Sequence, residues 1–287
     1  LLRRQELEPR ALTTLPLKTN FIGVGYVYSF GNILLDPAVP LEDVNSSIHS
    51  GFVAYVRSFG LFGNSSKLSL ILPYAGAHFD GVAFGQDSSR NVNGLGDPVI
   101  VLSTNFRGSP ALSIKDYASY KQGTVFGANL KIKVPLGQYD EMRTFNIGAN
   151  RFMFRPQVGM SIKKKGWIIE TYAAVWLFTK NNALWIKDHT IEMQQKPLFT
   201  FKQHLIYAFR NKTWLAINLG YGIGGKTVNA GQELDNRINT MRTGLTFVKP
   251  LGKTSAIKIS YNYAFAFERG PEFQYINLTY QYRWFNK

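Results

Sequence analysis

The stretch Ile276-Asn277-Leu278-Thr279-Tyr280-Gln281-Tyr282-Arg283-Trp284-Phe285 alternates over its whole length between large apolar and polar side chains. Successive side chains of an extended strand point to opposite faces, so Ile276, Leu278, Tyr280, Tyr282 and Trp284 form one apolar-aromatic row. Asn277, Thr279, Gln281 and Arg283 form the other. A long strand with such a row would invite aggregation at an open sheet edge. Closing the sheet into a cylinder removes the edge.

Working back from this strand, the same period of two recurs in runs of about 10 to 13 residues. They are Leu17–Phe30, Ile48–Ser58, Lys67–Ala77, Asp97–Phe106, Gly123–Val134 and Arg151–Lys163, then Gly166–Phe178, Pro197–Phe209, Thr213–Ile223, Ile238–Lys249, Ser255–Phe267 and Glu272–Phe285. About twelve strands is an even number, as single-chain bacterial outer-membrane barrels require. Such barrels also commonly finish on an aromatic strand of this kind, which their assembly machinery recognises. Connections after odd-numbered runs are mostly long and polar, and those after even-numbered runs mostly short. Long external loops and short periplasmic turns give that rhythm and put both termini in the periplasm. The connection Arg107–Gln122 is an exception, and a short helix is expected to start in it at Ser109-Pro110. The expected fold is all-β: a transmembrane antiparallel up-and-down barrel over 17–287, with residues 1–16 as a periplasmic segment or a plug.

Composition excludes the competing classes. No run reaches the roughly 18 apolar residues that a membrane helix needs, and Trp167–Phe178 is short and interrupted by Glu170. With 0 Cys, neither a disulfide framework nor a thiolate metal site can form. His49, His78, His189 and His204 have no metal-ligand spacing, so no cofactor is expected. The glycines around Gly94-Leu95-Gly96 and Gly222–Lys226 lack the strand–loop–helix setting of a phosphate loop and read as turn residues. The net charge of +15 is spread over many strands and turns instead of one stripe, which disfavours nucleic acid. The chain begins on a polar stretch, LLRRQELEPRA, so an exported protein would have an apolar leader encoded upstream of Leu1.

Aromatics sit near the ends of the runs, for example Tyr26, Tyr28, Phe152, Phe154, Phe199, Phe201, Tyr261 and Tyr263. That is where interface girdles belong, and it favours lipid outside. The alternate positions then face a lumen. They include Asp97, Asn129, Lys131, Lys133, Arg151, Arg155, Gln157, Lys163, Glu170, Lys202, His204, Asn218, Arg242, Lys258, Asn262 and Arg283. Nine of these, Lys131, Lys133, Arg151, Arg155, Glu170, Lys202, Arg242, Lys258 and Arg283, are the candidate solute-binding set. Bases outnumber acids, and such a field in a narrow pore concentrates anions. The bland alternative is that Glu170 and Asp97 pair with basic neighbours and fill the lumen as a rigid network.

The chain also resembles the bacterial outer-membrane proteins known as the putative MetA-pathway of phenol degradation family, often called simply transporters. The resemblance lies in Leu7-Glu8-Pro9-Arg10-Ala11, Tyr55-Val56-Arg57-Ser58-Phe59, Leu72-Pro73-Tyr74 and Gly94-Leu95-Gly96-Asp97-Pro98, and in Pro135–Asp140, Asn146–Arg151 and Tyr282-Arg283-Trp284. Phe285-Asn286-Lys287 extends beyond the Trp near which members typically stop. The resemblance implies an outer-membrane barrel and supplies neither a defined substrate nor catalytic residues.

Three functions follow as expectations. The first is passage or binding of a small, anionic or aromatic solute, with outer-membrane lipid and lipopolysaccharide as surroundings. The second is a closed structural barrel serving a protein partner in an outer-membrane assembly. The third is an outer-membrane hydrolase, for which His204 and nearby strand serines such as Ser161 are the available groups, though nothing in the sequence singles them out.

Overall fold

In the computed structural model, residues 7–32, 41–83, 86–186, 188–267 and 272–286 are described. The strands are β1 (Thr19–Asn32), β2 (Leu41–Leu61), β3 (Asn64–Ala83), β4 (Gln86–Leu95), β5 (Val99–Arg107), β6 (Thr124–Lys133), β7 (Met153–Lys164) and β8 (Trp167–Phe178). They continue with β9 (Asn181–Ile186), β10 (His189–Gln195), β11 (Leu198–Ala208), β12 (Trp214–Gly224), β13 (Thr227–Asn229), β14 (Gln232–Glu233), β15 (Ile238–Leu251), β16 (Ser255–Ala266) and β17 (Glu272–Phe285). All pairings are antiparallel, and the β1–β17 and β2–β3 ladders close a barrel. Its twelve walls coincide with the twelve alternating runs. The fourth wall is made by two pieces, since β4 and β5 both pair with β3, one above the other.

The short connections gather at one end, here the turn end. Between β2 and β3 only Phe62 and Gly63 turn the chain, both at positive φ (50° and 75°). That handedness matches the twist of the flanking strands. The loop end carries what the sequence shows only as polar connections. There β9, β10, β13 and β14 make a separate four-stranded sheet, and β2, β3 and β4 run past the barrel rim. Pro250, just past the run Ile238–Lys249 read from the sequence, lies inside β15.

The helix differs from expectation. It spans Ile114–Tyr117 and is capped by Ser113, whose hydroxyl accepts from the Asp116 N–H. Ser109 and Pro110 instead join the sheet end, where the Ser65 N–H donates to the Ser109 carbonyl and Asn64 bridges Pro110. A backbone committed to a ladder is not free to start a helix.

The faces fall as the alternation requires. Leu130, Ile217, Leu219, Leu245, Ile259, Leu278 and Tyr280 are exposed on the outside, Leu278 at 49%. Their strand neighbours Lys131, Asn218, Thr246, Ser260 and Thr279 are buried inside. An exterior made mostly of apolar rows suits hydrocarbon better than water, and the closed ladders pair the strand backbones within the sheet.

Residues 7–18 do not hang free of the barrel. They run into its turn end and bond to the inner wall. The Arg10 N–H donates to Glu170 Oε2 (2.6 Å), and Lys67 Nζ donates to the Ala11 carbonyl (2.5 Å). Asn105 Nδ2 donates to the Leu12 carbonyl (3.2 Å), and Thr14 shares a hydrogen bond with Ser109 (2.7 Å). Two strand glycines make the room. A Cβ on Gly127 would lie 2.5 Å from Leu12 Cδ2, and one on Gly220 would lie 2.8 Å from Leu7 Cδ2.

Candidate functional site in the lumen

Above the N-terminal segment the barrel encloses a cavity of about 1090 Å³. It is bounded below by residues 7–11 and above by the β6–β7 connection, including Tyr139 and Thr144–Ala149. Among the described residues, its lining contains nine basic side chains (Arg10, Lys67, Lys131, Lys133, Arg151, Arg155, Lys202, Arg242 and Lys258) and two acidic ones (Glu8 and Asp97).

Strand register assembles the basic belt. Lys131 on β6 lies directly opposite Arg155 on β7, and Asn129 opposite Gln157. Lys202 on β11 donates to Gln157 Oε1 (3.4 Å), which joins a third strand to the group. Lys131, Arg155 and Lys202 are each only 5% exposed. Several arginines lie on aromatic faces: Arg155 over Trp176 (5.2 Å to the ring centroid), Arg151 over Phe178 (4.7 Å) and Arg242 over Phe273 (5.2 Å). Arg151 also donates to Gln195 Oε1 (2.6 Å). Stacking fixes the guanidinium plane and leaves its N–H fork at the edge, where a planar anion can meet it.

The acids are committed. Both Asp97 oxygens accept backbone N–H bonds, from Gly137 (3.1 Å) and Ala149 (3.0 Å). The same junction holds the Gln138 N–H on the Leu95 carbonyl and the Gly148 N–H on the Gln138 carbonyl. Thus the Gly94–Pro98, Pro135–Asp140 and Asn146–Arg151 phrases of the sequence meet in one clamp that folds the β6–β7 connection over the cavity. Glu170 lies below the cavity, holding the Arg10 amide and accepting from the Tyr172 hydroxyl (2.8 Å). Glu8 pairs with Lys258 (2.8 Å).

Of the nine candidates, seven line the cavity: Lys131, Lys133, Arg151, Arg155, Lys202, Arg242 and Lys258. Glu170 serves the N-terminal segment instead. Arg283 lies at the turn end, donating to the Lys253 carbonyl (2.7 Å) beside the β15–β16 turn. Lys163 is exposed near the β7–β8 turn. His204 Nδ1 donates to Asn218 Oδ1 (2.7 Å) in the buried turn-end half. It and Ser161 are each paired in register with Glu170, so a whole strand separates them. Two inter-strand spacings, about 10 Å, part the backbones of a pair that would need hydrogen-bond contact for nucleophilic catalysis.

The interior is less uniformly polar than the strand pattern suggests. Ile168, Ile206, Trp214, Ala216, Val248 and Ala256 make an apolar cluster at the turn end. At the loop end Ile48, Ala75, Ala77, Phe79 and Ile147 make another. Sequence alternation marks the strand members of both sets as inward-facing but cannot show that they meet across the barrel ends and exclude water.

A family model described as "Putative MetA-pathway of phenol degradation" matches residues 22–282. No curated protein matches the sequence. Among solved structures, the COG4313 outer membrane channel from Pseudomonas putida F1 is similar at TM-score 0.82 and 19% identity, covering 97% of this chain and 100% of that one. The beta domain of the Bordetella autotransporter BrkA follows at TM-score 0.55 and 13% identity, covering 92% and 99%. The transport unit of the autotransporter AIDA-I from Escherichia coli is similar at TM-score 0.54 and 8% identity, covering 100% and 94%. These likenesses establish the fold as that of outer-membrane barrels.

Proposed function

This chain belongs to the family described as "Putative MetA-pathway of phenol degradation", and from that premise we propose that it is a bacterial outer-membrane channel for a small solute, selective for anions and not an enzyme. One observation carries the reading. A closed barrel with an apolar exterior holds a cavity whose lining, among the described residues, has nine basic residues and two acidic ones. A field of one sign in a low-dielectric lumen raises the local concentration of counter-ions and repels co-ions. The description of the P. putida structure as a channel supports the same reading.

In this reading the turn end and both termini face the periplasm, the loop end faces outward, and lipid and lipopolysaccharide surround the wall. The 1–16 segment acts as a plug on the periplasmic side; residues 1–6 lie outside the described residues, and for the rest the reading is supported by the hydrogen bonds that residues 10–14 make with three wall strands and the β5–β6 connection. Solute passes when this segment shifts. A second reading, a sealed barrel serving as a subunit of a larger assembly, is favoured by the apolar clusters at the two ends.

Planar-bilayer recording separates the two. Under a potassium chloride gradient the reversal potential takes the sign of chloride permeation, and deletion of residues 1–16 raises the conductance. Arg155→Glu with Lys131→Glu moves the reversal potential toward potassium. A full-length and a truncated protein that both fail to conduct would leave the sealed subunit standing and overturn the channel.

A further inference from the structure

Four bases stand just past the loop ends of four neighbouring walls, β8, β11, β12 and β15. Lys180 lies three residues beyond Leu177, Lys196 three before Phe199 and Lys226 three beyond Ile223, the outermost large apolar side chains on the lipid faces of β8, β11 and β12. Register puts them at similar heights. The Lys196 N–H donates to the Lys226 carbonyl, and Met193 opposite Asn181 places Lys180 level with Gln194, two residues farther out. Gly224 opposite Ile238 places Arg237 one residue nearer the apolar band than Lys226. None of the four lines the cavity, although their chain neighbours Asn181, Thr227, Asn236 and Ile238 do, and Gln195 beside Lys196 is buried on Arg151. We propose that this outer rim is a docking surface for lipopolysaccharide, with Lys180, Lys196, Lys226 and Arg237 meeting the phosphates of lipid A. This assignment rests on the reading that the loop end faces outward and adds a binding surface on that side.

Height and charge order carry the assignment. At about 3.3 Å per residue and a strand tilt near 40°, three residues raise a side chain by roughly 8 Å along the membrane normal. The headgroup layer beyond the hydrocarbon is about that deep. The lysines have carboxylate partners, but these sit farther out or in open solvent. Glu192, paired with Lys180, is two residues beyond Gln194, and Glu233, paired with Lys196 and Lys226, lies opposite Val228, two residues beyond Lys226. Asp235, which also pairs with Lys226, is almost fully exposed. The cations therefore form the edge nearer the lipid. Exposed ion pairs contribute little, so a phosphate arriving from the membrane side competes with these carboxylates. Three strand spacings spread the row over about 14 Å. Lipid A carries a phosphate at each end of a disaccharide and can span it, whereas a phospholipid offers a single phosphate. The rim across the barrel is unlike this one. There the matching outer positions of β3 and β4 are His78, Asp80, Asn91 and Asn93, with His78 held by Asp80 (3.0 Å).

The test is native mass spectrometry of the detergent-folded protein, its folding checked by heat-modifiable gel migration. The probe is rough-type lipopolysaccharide carrying both lipid A phosphates; its dephosphorylated form and phosphatidylglycerol are the controls. The probe is expected to bind at least about tenfold more tightly than either control. Lys196→Gln with Lys226→Gln should cost the probe about tenfold or more in affinity, and Lys196→Arg with Lys226→Arg should keep it. Arg237→Gln, which leaves the lysine–glutamate pairs in place, should cost about fivefold and serves if the double variant fails to fold. In vesicles containing the probe, a benzophenone carried by Gln194→Cys should crosslink to it, and one carried by Asn93→Cys should not. Equal binding of either control, full affinity in the glutamine variants, or equal crosslinking at both positions each overturns the proposal. An outward loop end with phosphate-independent binding overturns this assignment alone. A loop-end cysteine that external thiol reagents fail to reach in intact cells overturns the orientation on which it rests.

Discussion

Asp97→Asn takes the charge from a carboxylate that receives two backbone N–H bonds across the cavity roof. Hydrogen bonds to a charged acceptor contribute about 1.5–3 kcal/mol, so the β6–β7 connection is expected to exchange its amide hydrogens faster while the barrel strands keep their protection. Glu170→Gln acts at the other end. It removes the charge that holds the Arg10 amide, and single-channel records should show longer or more frequent openings, with the heat-modifiable fold retained. An unchanged open fraction would separate the N-terminal segment from gating. Both residues were placeable on the inner face by parity alone. What each does there was not legible, because their partners are backbone amides 40 to 160 residues away. The strand glycines Gly127 and Gly220 were the available hint, since an inward position without a side chain must be filled by something else.

At the scale of the elements, period-two alternation identified every barrel wall, usually within two residues at each end, because lipid outside and polar groups inside demand opposite side chains at each step. It is the ends that escaped. β9, β10, β13 and β14 form a sheet that faces no lipid, so nothing imposes alternation on them, and β4 reads as a polar loop for the same reason. The exterior makes a direct prediction: Ile217→Arg, on the outer face of β12, should cost about 2–4 kcal/mol in folding into lipid vesicles if it sits near the midplane. The paired substitution Asn218→Ala on the inner face removes hydrogen bonds but meets no hydrocarbon, and its cost should not depend on bilayer composition.

The loop-end sheet of β9, β10, β13 and β14 is held by exposed ion pairs. Hydrogen bonding by Lys196 holds the Glu233 carboxyl below its ordinary value, with Lys226 also close by, and Gln194 and then Lys180 do the same for Glu192. A carboxylate depressed in the folded state contributes stability above its unfolded value, near 4.5, and loses that contribution as pH falls through the folded value. Amide exchange in β9, β10 and β13 is therefore expected to be insensitive to pH between 7 and about 5 beyond intrinsic chemistry, and to speed up selectively under stronger acid or high salt. Uniform behaviour of this sheet and the barrel strands would show that the pairs do not hold it.

At the scale of the whole molecule, the barrel class and the excess of bases over acids inside it both follow from the sequence, while the division of the lumen into apolar ends and a basic belt required the register of distant strands. The central claim is that adjacent residues of one strand face hydrocarbon and a wet cationic lumen in turn. The chain has no cysteine, so single substitutions report without background. In lipid vesicles, Asn129→Cys, in the belt beside Gln157, should react with a water-soluble anionic thiol reagent and faster than with a cationic one, while Leu130→Cys should resist both. Rapid labelling at 130 with protection at 129 would mean that the barrel is turned the other way, and the account would fail with it.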